Sequence, residues 1–384
     1  MTSQHSGWKF LIGFLVTFGL ISGPFSRPLM PMFQWFLVSS RDVMLVWTMV
    51  LGFTVIGLMA WRLSPAYTWF LSANLVSALV YGFQGDTVPN LTMVALGTLI
   101  LIFLVDHWKT SSAYIYFGLL LAVCIHFMVA GMQLLVTDLG WAAPAGMVWR
   151  DPFYVTAQHV REIEGLASHY SLLAGLLAVA LPLLIARYRY GWLLLPPTLI
   201  HVWFSQHRSS AIALLALLIL VPRKYLVWAL VGVLLFMGGV LYVRGAGRSW
   251  STWTGDRVMV WTVTTAKAMQ RPIVGWGPGT FNLWRPTFVH EQTKQGLTWT
   301  QAHNEYLQTL FDTGILGVLA FPIFAGWLLR RLWLARPWTV GLKGALASVI
   351  ALALIAFVSF PFRIGVTAVG GLITLAALHG ELDT

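Results

Sequence analysis

Charged side chains are scarce in this sequence: 10% of its 384 residues are Asp, Glu, Lys or Arg, whereas 58% are apolar. Soluble domains carry roughly 25% charged residues, and a soluble protein of this length with so few would have no polar surface. The scarcity of charge therefore excludes an ordinary soluble protein and predicts an integral membrane protein.

Cysteine is almost missing as well. The single cysteine, Cys124, lies within the apolar stretch 117–136. This excludes an intramolecular disulfide and a metal site built from a cysteine cluster. We interpret Cys124 as a small core residue.

Basic residues outnumber acidic ones, with 24 Lys and Arg against 13 Asp and Glu, which gives a net charge of +11. They are spread thinly, and no run of them resembles a nucleic-acid-binding strip. We therefore expect membrane lipids, and not nucleic acid, among the partners of this protein.

The apolar residues form long stretches, and a helix needs about 20 of them to cross the hydrocarbon layer. They predict an all-α, polytopic membrane protein, a single membrane domain over 1–384 with about 12 transmembrane helices, some of them short or broken. The candidate spans are 8–24, 43–61, 66–84, 88–105, 113–137, 169–186, 191–204, 209–222, 225–243, 303–329, 339–360 and 364–380.

The positions of Lys and Arg in the short loops predict the orientation, because cytoplasmic loops are enriched in them. The pattern is consistent with both termini on the cytoplasmic side. The opposite side then receives two long segments, 138–168 and 244–302, which together carry many basic residues. A basic outer face next to the membrane favours an anionic ligand at the outer leaflet.

Two spans, 191–204 and 209–222, are too short to cross a membrane unaided, and Pro196 and Pro197 lie in the first. Broken helices at membrane depth are tolerated where their backbone lines a cavity or is buried in protein. The break at 205–208 is therefore a candidate pocket wall.

The longer outer segment contains an amphipathic stretch over 256–270. Val258, Trp261, Thr265 and Ala268 recur there at helical spacing, which predicts a helix on the membrane surface. Three glycines follow within 275–279. A phosphate-binding loop would need a Lys-Ser/Thr ending that is missing here, so a tight turn is the better interpretation.

A polar cluster opens the predicted helix 303–329. His303, Tyr306 and Leu307 share one face of it, and a helix N-terminus suits a phosphate group. A histidine at this position is a candidate general base. The alternative is a polar anchor at the membrane interface.

Three motifs resemble the bacterial O-antigen ligase and polymerase superfamily of membrane glycosyltransferases. They are SQHRSS at 205–210, DRVMVW at 256–261 running on to RPIVGWGPGTF at 271–281, and AHNEYLQ at 302–308 followed by DTGILG at 312–317. The last two are specific as an ordered pair. The resemblance covers about half of the chain, from the sixth to the tenth span.

The resemblance implies an inner-membrane enzyme of bacteria that takes a glycan from an undecaprenyl-pyrophosphate carrier at the periplasmic face. It passes the glycan to a hydroxyl acceptor with inversion, without a metal or another cofactor. Arg208 and Arg257 match the pyrophosphate-binding arginines of the family, and His303 matches its catalytic histidine. The alternatives are a membrane-interface anchor for Arg208 and a headgroup contact for Arg257.

Further candidates are Asn304, Tyr306, His169, Arg150 and Arg161. The two arginines, like Arg271 and Arg285, have lipid headgroups or glycan acids as possible ligands, and His169 could instead cap the sixth span. Glu162 and Glu164 have the spacing of a divalent-metal pair, but two acids do not complete an oxygen-coordinated site. We therefore expect no metal there. The tryptophans of the outer segments, Trp299 among them, stack on sugars or form an interfacial belt.

The acceptor decides the activity. A lipid A core acceptor makes the protein a ligase, a lipid-linked repeat makes it a polymerase, and a protein hydroxyl makes it an O-oligosaccharyltransferase. The short outer segment leaves room for a bulky second acceptor and favours the ligase. A transporter or flippase is the other alternative, but it should show matching helix breaks in both halves, and the first five spans have none like that at 205–208.

Overall fold

The computed structural model describes residues 43–138, 170–205, 207–245, 257–284, 286–289, 296–359, 361–363 and 365–383. Its α-helices are α1 (Val43–Trp61), α2 (Pro65–Tyr81), α3 (Thr87–Asp106), α4 (Trp108–Asp138), α5 (Tyr170–Arg187), α6 (Leu195–Ser205), α7 (Arg208–Ala213), α8 (Leu226–Gly245), α9 (Arg257–Ala268), α10 (Phe281–Trp284), α11 (Glu305–Val318), α12 (Ala320–Leu334), α13 (Val340–Ala356) and α14 (Gly365–Leu382). Short 3₁₀ helices cover Gly191–Leu194, Leu214–Leu220, Arg223–Tyr225 and Pro361–Arg363.

The described residues are predominantly helical, as predicted. The exception to an all-α chain is one small hairpin, in which β1 (Thr287–Val289) pairs antiparallel with β2 (Gly296–Thr298). The hairpin lies in the segment between α10 and α11.

Three helices within the described ranges are long and apolar enough to cross a membrane: Thr87–Asp106, Trp108–Met132 and Arg223–Tyr242. The bent pair α11 and α12 makes a fourth if it is counted as one span, and five further apolar helices are shorter. These helices agree with an integral membrane protein, while the number of about 12 spans stays a prediction. The interpretation of Cys124 as a core residue is wrong, because this residue of α4 is exposed.

The interior is organised around α5, in which every residue from 173 to 185 is buried. A helix that is apolar on all sides belongs inside a helical assembly. Its main neighbour is α13, whose contacting face carries small side chains such as Ala347 and Ala351, both fully buried. The Ser348 hydroxyl donates a hydrogen bond of 2.6 Å to the carbonyl oxygen of Val179. Small residues allow the two helix backbones to approach closely.

The predicted break at 205–208 is present between α6 and α7. The proline pair does not interrupt α6, because it lies in the first turn, where the missing N–H groups have no intrahelical partner anyway. After six residues α7 tightens into the 3₁₀ helix Leu214–Leu220. This part of the chain therefore consists of short helical pieces.

The prediction of one helix over 303–329 is wrong. The structure has α11 and α12 at an angle of 59° to each other, and α11 itself is kinked at Gly314, where φ is +64° and ψ is −160°. The apolar run continues through both helices, so hydropathy gives no sign of the bend. Its cause is a contact with a distant turn, described below.

We expect Gly344→Ala to weaken the packing of α13 on α5. A Cβ at Gly344 would overlap the Cβ of Ala186 and lie 3.0 Å from the carbonyl oxygen of Pro182. Overpacking of this kind costs about 1–3 kcal/mol, so the thermal midpoint in detergent should fall. Gly97→Ala in α3 is the control because nothing lies within 4 Å of a Cβ there. Equal midpoints for the two variants would contradict the close approach.

Candidate active site

A glycine-rich turn after α9 docks against the main chain of α11. The backbone N–H groups of Trp276 and Gly277 donate to the carbonyl oxygens of Phe311 and Asp312, at 2.8 and 2.9 Å. Gly275 has φ of +70°, and a Cβ there would lie 2.5 Å from the carbonyl carbon of Asp312. Any side chain would prevent this approach. The tight turn predicted from the glycines is therefore present, and it is packed on α11.

The same turn accounts for the kink at Gly314. Beyond it, the N–H groups of Ile315 and Leu316 donate to the carbonyl oxygens of Pro272 and Ile273, at 2.8 and 3.2 Å. In a regular helix these N–H groups would bond to carbonyls four residues earlier. The turn thus replaces part of the hydrogen-bond ladder of α11, and the chain bends where that ladder is interrupted.

His303 lies directly before the start of α11 in a strained backbone conformation. Its φ is +52°, a value that no other non-glycine residue shows in the described ranges. Such a conformation costs on the order of 1–3 kcal/mol and persists only where the surroundings enforce it. The preceding Ala302 is held on both sides: its N–H donates to Gln308 Oε1 at 2.8 Å, and its carbonyl accepts from Trp261 Nε1 at 3.0 Å. The Trp299 ring lies edge-on to the imidazole, with centroids 4.9 Å apart.

Asn304 and Tyr306 fix the beginning of α11. The Asn304 side chain caps the helix by accepting a hydrogen bond of 2.9 Å from the N–H of Leu307. The Tyr306 hydroxyl donates to the carbonyl oxygen of Ala353 in α13, at 3.0 Å. Both candidates thus hold the segment next to His303 in place.

Arg257 is the first residue of α9, which packs against α11. Of the four residues at helical spacing, Ala268 is buried, whereas Val258 and Thr265 are exposed. The location of this helix on the membrane surface stays a prediction. The buried residues recur at intervals of four: Val260, Thr264 and Ala268. The contact with α11, and not the apolar pattern alone, decides which face is buried.

Arg208 is the first residue of α7, directly after the helix break. The preceding residue, His207, is buried, with Nδ1 2.7 Å from Ser210 Oγ and Nε2 3.0 Å from Ser209 Oγ. These contacts tie the His207 side chain to the first turn of α7 and fix the backbone from which Arg208 extends. We did not predict a role for His207 from the sequence, although its position at the helix break could have indicated one.

The three candidate segments meet α13. Helix α7 packs against it, and Ala213 shares an apolar cluster with Leu352 and Ile355. The start of α11 reaches α13 through Tyr306, while the Trp261 ring of α9 lies 5.9 Å from that of Phe357, just beyond the end of α13. Arg208, Arg257 and His303 are therefore carried by elements gathered around one helix. Convergence of their side chains on one cavity stays a prediction.

Residues 171–322 match the family model described as O-antigen ligase. This segment, which is less than half of the chain, is therefore similar to the O-antigen ligase family. The match extends from α5 into α12 and contains Arg208, Arg257 and His303, and it confirms the resemblance on which the sequence analysis relied. No curated protein matches the chain.

A buried cluster of charges lies on α11, the helix at which the histidine motif begins. Arg363 donates from Nε to Glu305 Oε1 at 3.2 Å and from Nη2 to Asp312 Oδ2 at 2.7 Å. The side chains of Glu305 and Asp312 are only 10% and 4% exposed. Arg363 also donates from Nη1 to Asn90 Oδ1 of α3, at 3.4 Å. The cluster therefore joins the matched segment 171–322 to residues before and after it in the sequence.

This cluster was not predicted from the sequence. Glu305 and Asp312 are two acids seven residues apart on one face of an apolar helix. Their presence could have indicated the cluster, because ionisable residues in such segments are commonly functional. Their partner Arg363 lies 58 residues from Glu305. A pairing over that distance was not visible in the local pattern.

Several candidates lie outside the described residues: His169, Arg150, Arg161, Glu162, Glu164 and Arg285. Arg271 is described, and its guanidinium carbon lies 4.1 Å from the ring centre of Tyr81 and 3.9 Å from that of Trp276. Cation–π contacts with these two rings therefore give the Arg271 guanidinium binding partners within the protein. In the described ranges, no three His, Cys, Asp or Glu side chains are grouped closely enough to hold a metal ion.

Two small cavities in the described part of the chain have mostly apolar walls. One lies where Leu176, Ile355 and Pro361 meet, and the other is lined by Leu177, Leu181 and their neighbours. Neither includes any of the three candidate residues Arg208, Arg257 and His303.

We expect Gly275→Ala to weaken the docking of the turn on α11. The added Cβ would meet the main chain of Asp312 at 2.5 Å in a backbone conformation that disfavours side chains. A loss of about 1–3 kcal/mol should appear as a lower thermal midpoint and faster proteolysis between α9 and α11. Gly326→Ala in α12 is the control, since nothing lies within 4 Å of a Cβ there. An unchanged midpoint for Gly275→Ala would show that the turn is not rigidly docked.

Proposed function

We propose that this protein is an inverting glycosyltransferase of the bacterial inner membrane. In this proposal it transfers a glycan from an undecaprenyl-pyrophosphate carrier to a hydroxyl group of lipid A core, as an O-antigen ligase. The observation that carries the proposal is the similarity to the O-antigen ligase family over 171–322, a segment that contains Arg208, Arg257 and His303. The strained backbone of His303 supports it, because strain of this kind clusters at functional sites.

In the proposed reaction, Arg208 and Arg257 bind the pyrophosphate of the donor. Guanidinium groups form paired hydrogen bonds with phosphate oxygens, and they stabilise the negative charge that develops as the sugar–phosphate bond breaks. Both arginines are the first residues of their helices. The positive end of each helix dipole adds to the attraction for an anion.

His303 acts as the general base. The acceptor hydroxyl oxygen attacks the anomeric carbon while the bond from that carbon to the phosphate oxygen breaks. The hydroxyl proton passes to the imidazole, and undecaprenyl pyrophosphate leaves with the electron pair of the broken bond. Attack from the side opposite the leaving group inverts the anomeric centre, and no step requires a metal.

We place the site at the periplasmic face, with both termini in the cytoplasm and about 12 transmembrane helices in total. The distribution of Lys and Arg in the short loops supports this orientation. It puts Arg208, Arg257, His303 and Arg363 on the same side of the membrane. A donor anchored in the outer leaflet of that membrane would therefore approach Arg208, Arg257 and His303 from one direction.

Transfer assays with the purified protein test the proposal. We expect product from undecaprenyl-pyrophosphate glycan and lipid A core, with and without a chelator. His303→Ala should lower kcat by about 10²–10⁴-fold, the usual contribution of general base catalysis. Arg208→Ala and Arg257→Ala should each lower kcat/KM about 10–100-fold, because each removes a charge-assisted hydrogen bond worth about 1.5–3 kcal/mol. Arg223→Ala, an exposed arginine before α8, and His107→Ala, an exposed histidine after α3, are matched controls.

Three outcomes would contradict parts of this proposal. Full activity of His303→Ala would exclude the general base. Product formed only with a lipid-linked glycan as acceptor would make the protein a polymerase. Loss of activity with chelator, restored by a divalent metal, would direct attention to Glu162 and Glu164.

A further inference from the structure

We propose that Arg363, acting through Asp312 and Gln308, is a positioning residue for His303. This inference rests on the proposed function, in which His303 is the general base. It assigns a role to a residue outside the segment 171–322 that matches the O-antigen ligase model.

The backbone of His303 needs support from its neighbours. Its left-handed conformation is unfavourable for a residue with a side chain, so neighbouring contacts must hold it. One of these contacts is the hydrogen bond from the N–H of Ala302 to Gln308 Oε1, at 2.8 Å. Gln308 is almost fully buried, and its side chain reaches back from the first turn of α11 to the residue before the histidine.

This support depends on the orientation of the Gln308 amide. A glutamine side chain can present either its oxygen or its nitrogen to Ala302, and only the oxygen accepts a hydrogen bond. The carboxylate of Asp312 selects the correct orientation, because its Oδ1 accepts a hydrogen bond of 3.1 Å from Gln308 Nε2. Asp312 therefore determines which atom of Gln308 faces the backbone before His303.

The guanidinium of Arg363 holds Asp312 in turn. Nη2 donates to Asp312 Oδ2 at 2.7 Å, and Nε donates to Glu305 Oε1 at 3.2 Å. Glu305 is the first residue of α11, two positions after His303. Arg363 thus fixes the chain on both sides of the histidine: directly through Glu305, and through Asp312 and Gln308 at Ala302.

The charges of the cluster also favour a role in positioning. A buried ion pair often contributes little net stability, because the loss of hydration offsets the attraction, and apolar residues of similar volume can replace it. A planar guanidinium nevertheless fixes directions that an apolar contact does not, since its donors form a rigid fork. The chain of hydrogen bonds ends at Ala302, beside the candidate base, where orientation matters most for catalysis.

A double-mutant cycle tests this inference. Gln308→Met keeps the length of the side chain but loses both hydrogen bonds. Arg363→Lys keeps the charge but loses the fork. We expect each to lower kcat about 10–100-fold, as a misplaced catalytic group does, with the KM for the lipid-linked donor within about twofold. The double variant should lose less than the product of the two single losses, because one of the two routes from Arg363 runs through Gln308. Losses that multiply would overturn the inference.

Thr309→Val is the matched control. Thr309 is buried in the same helix, and its hydroxyl donates to the carbonyl oxygen of Glu305, at 2.8 Å. Its loss should change the thermal midpoint about as much as Gln308→Met does while leaving kcat within about twofold. An equal fall in kcat for both variants would show that loosening α11 in any way lowers activity, and it would overturn a specific role for Arg363.

If Gln308→Met does not fold, a second variant tests the support of the same backbone at Ala302. Trp261→Phe keeps an aromatic ring but loses the hydrogen bond from Nε1 to the carbonyl oxygen of Ala302. It should also lower kcat at constant donor KM. Full activity of His303→Ala would contradict the proposed function. An inactive His303→Ala together with normal kcat in both Gln308→Met and Trp261→Phe would contradict this inference alone.

Discussion

The contact between the glycine-rich turn and α11 is the interaction on which the candidate site depends. Main-chain hydrogen bonds on both sides of Gly314 join the turn to the helix, and the glycines allow the two backbones to touch. This contact connects the segment of Arg257 to the segment of His303. It also sets the direction in which α11 enters the assembly, and with it the position of every polar group at the start of that helix.

The contact in turn relies on the helices behind it. Ser77 of α2 donates to the carbonyl oxygen of Asp312, at 2.8 Å, and the Trp69 indole donates to that of Leu316, at 2.6 Å. Helix α2 thus bonds to the main chain of α11 on both sides of the kink at Gly314. Part of the support for the candidate site therefore comes from residues before the segment 171–322.

Much of this arrangement was predictable from local sequence. Low charge and long apolar stretches predicted a helical membrane protein, the short spans around 205–208 predicted broken helices, and three glycines predicted a tight turn.

The bend between α11 and α12 was not predictable, because Gly314 lies in an apolar run whose pattern fits one long helix. The buried face of α9 was not predictable either, because contact with the partner helix buries Val260 and Thr264, and no local pattern identifies that partner. The pairing of Arg363 with Glu305 and Asp312 depends on how distant helices pack.

The position of Arg363 has a consequence for how the segment 171–322 can be exchanged between proteins. The segment that is similar to the O-antigen ligase family ends at residue 322, yet two of its buried carboxylates pair with Arg363 in the connection between α13 and α14. A chimera that transplants 171–322 alone would place those acids against foreign helices. The unit that can be moved without leaving buried charges unpaired extends through α14 and needs a compatible α3 to face Arg363.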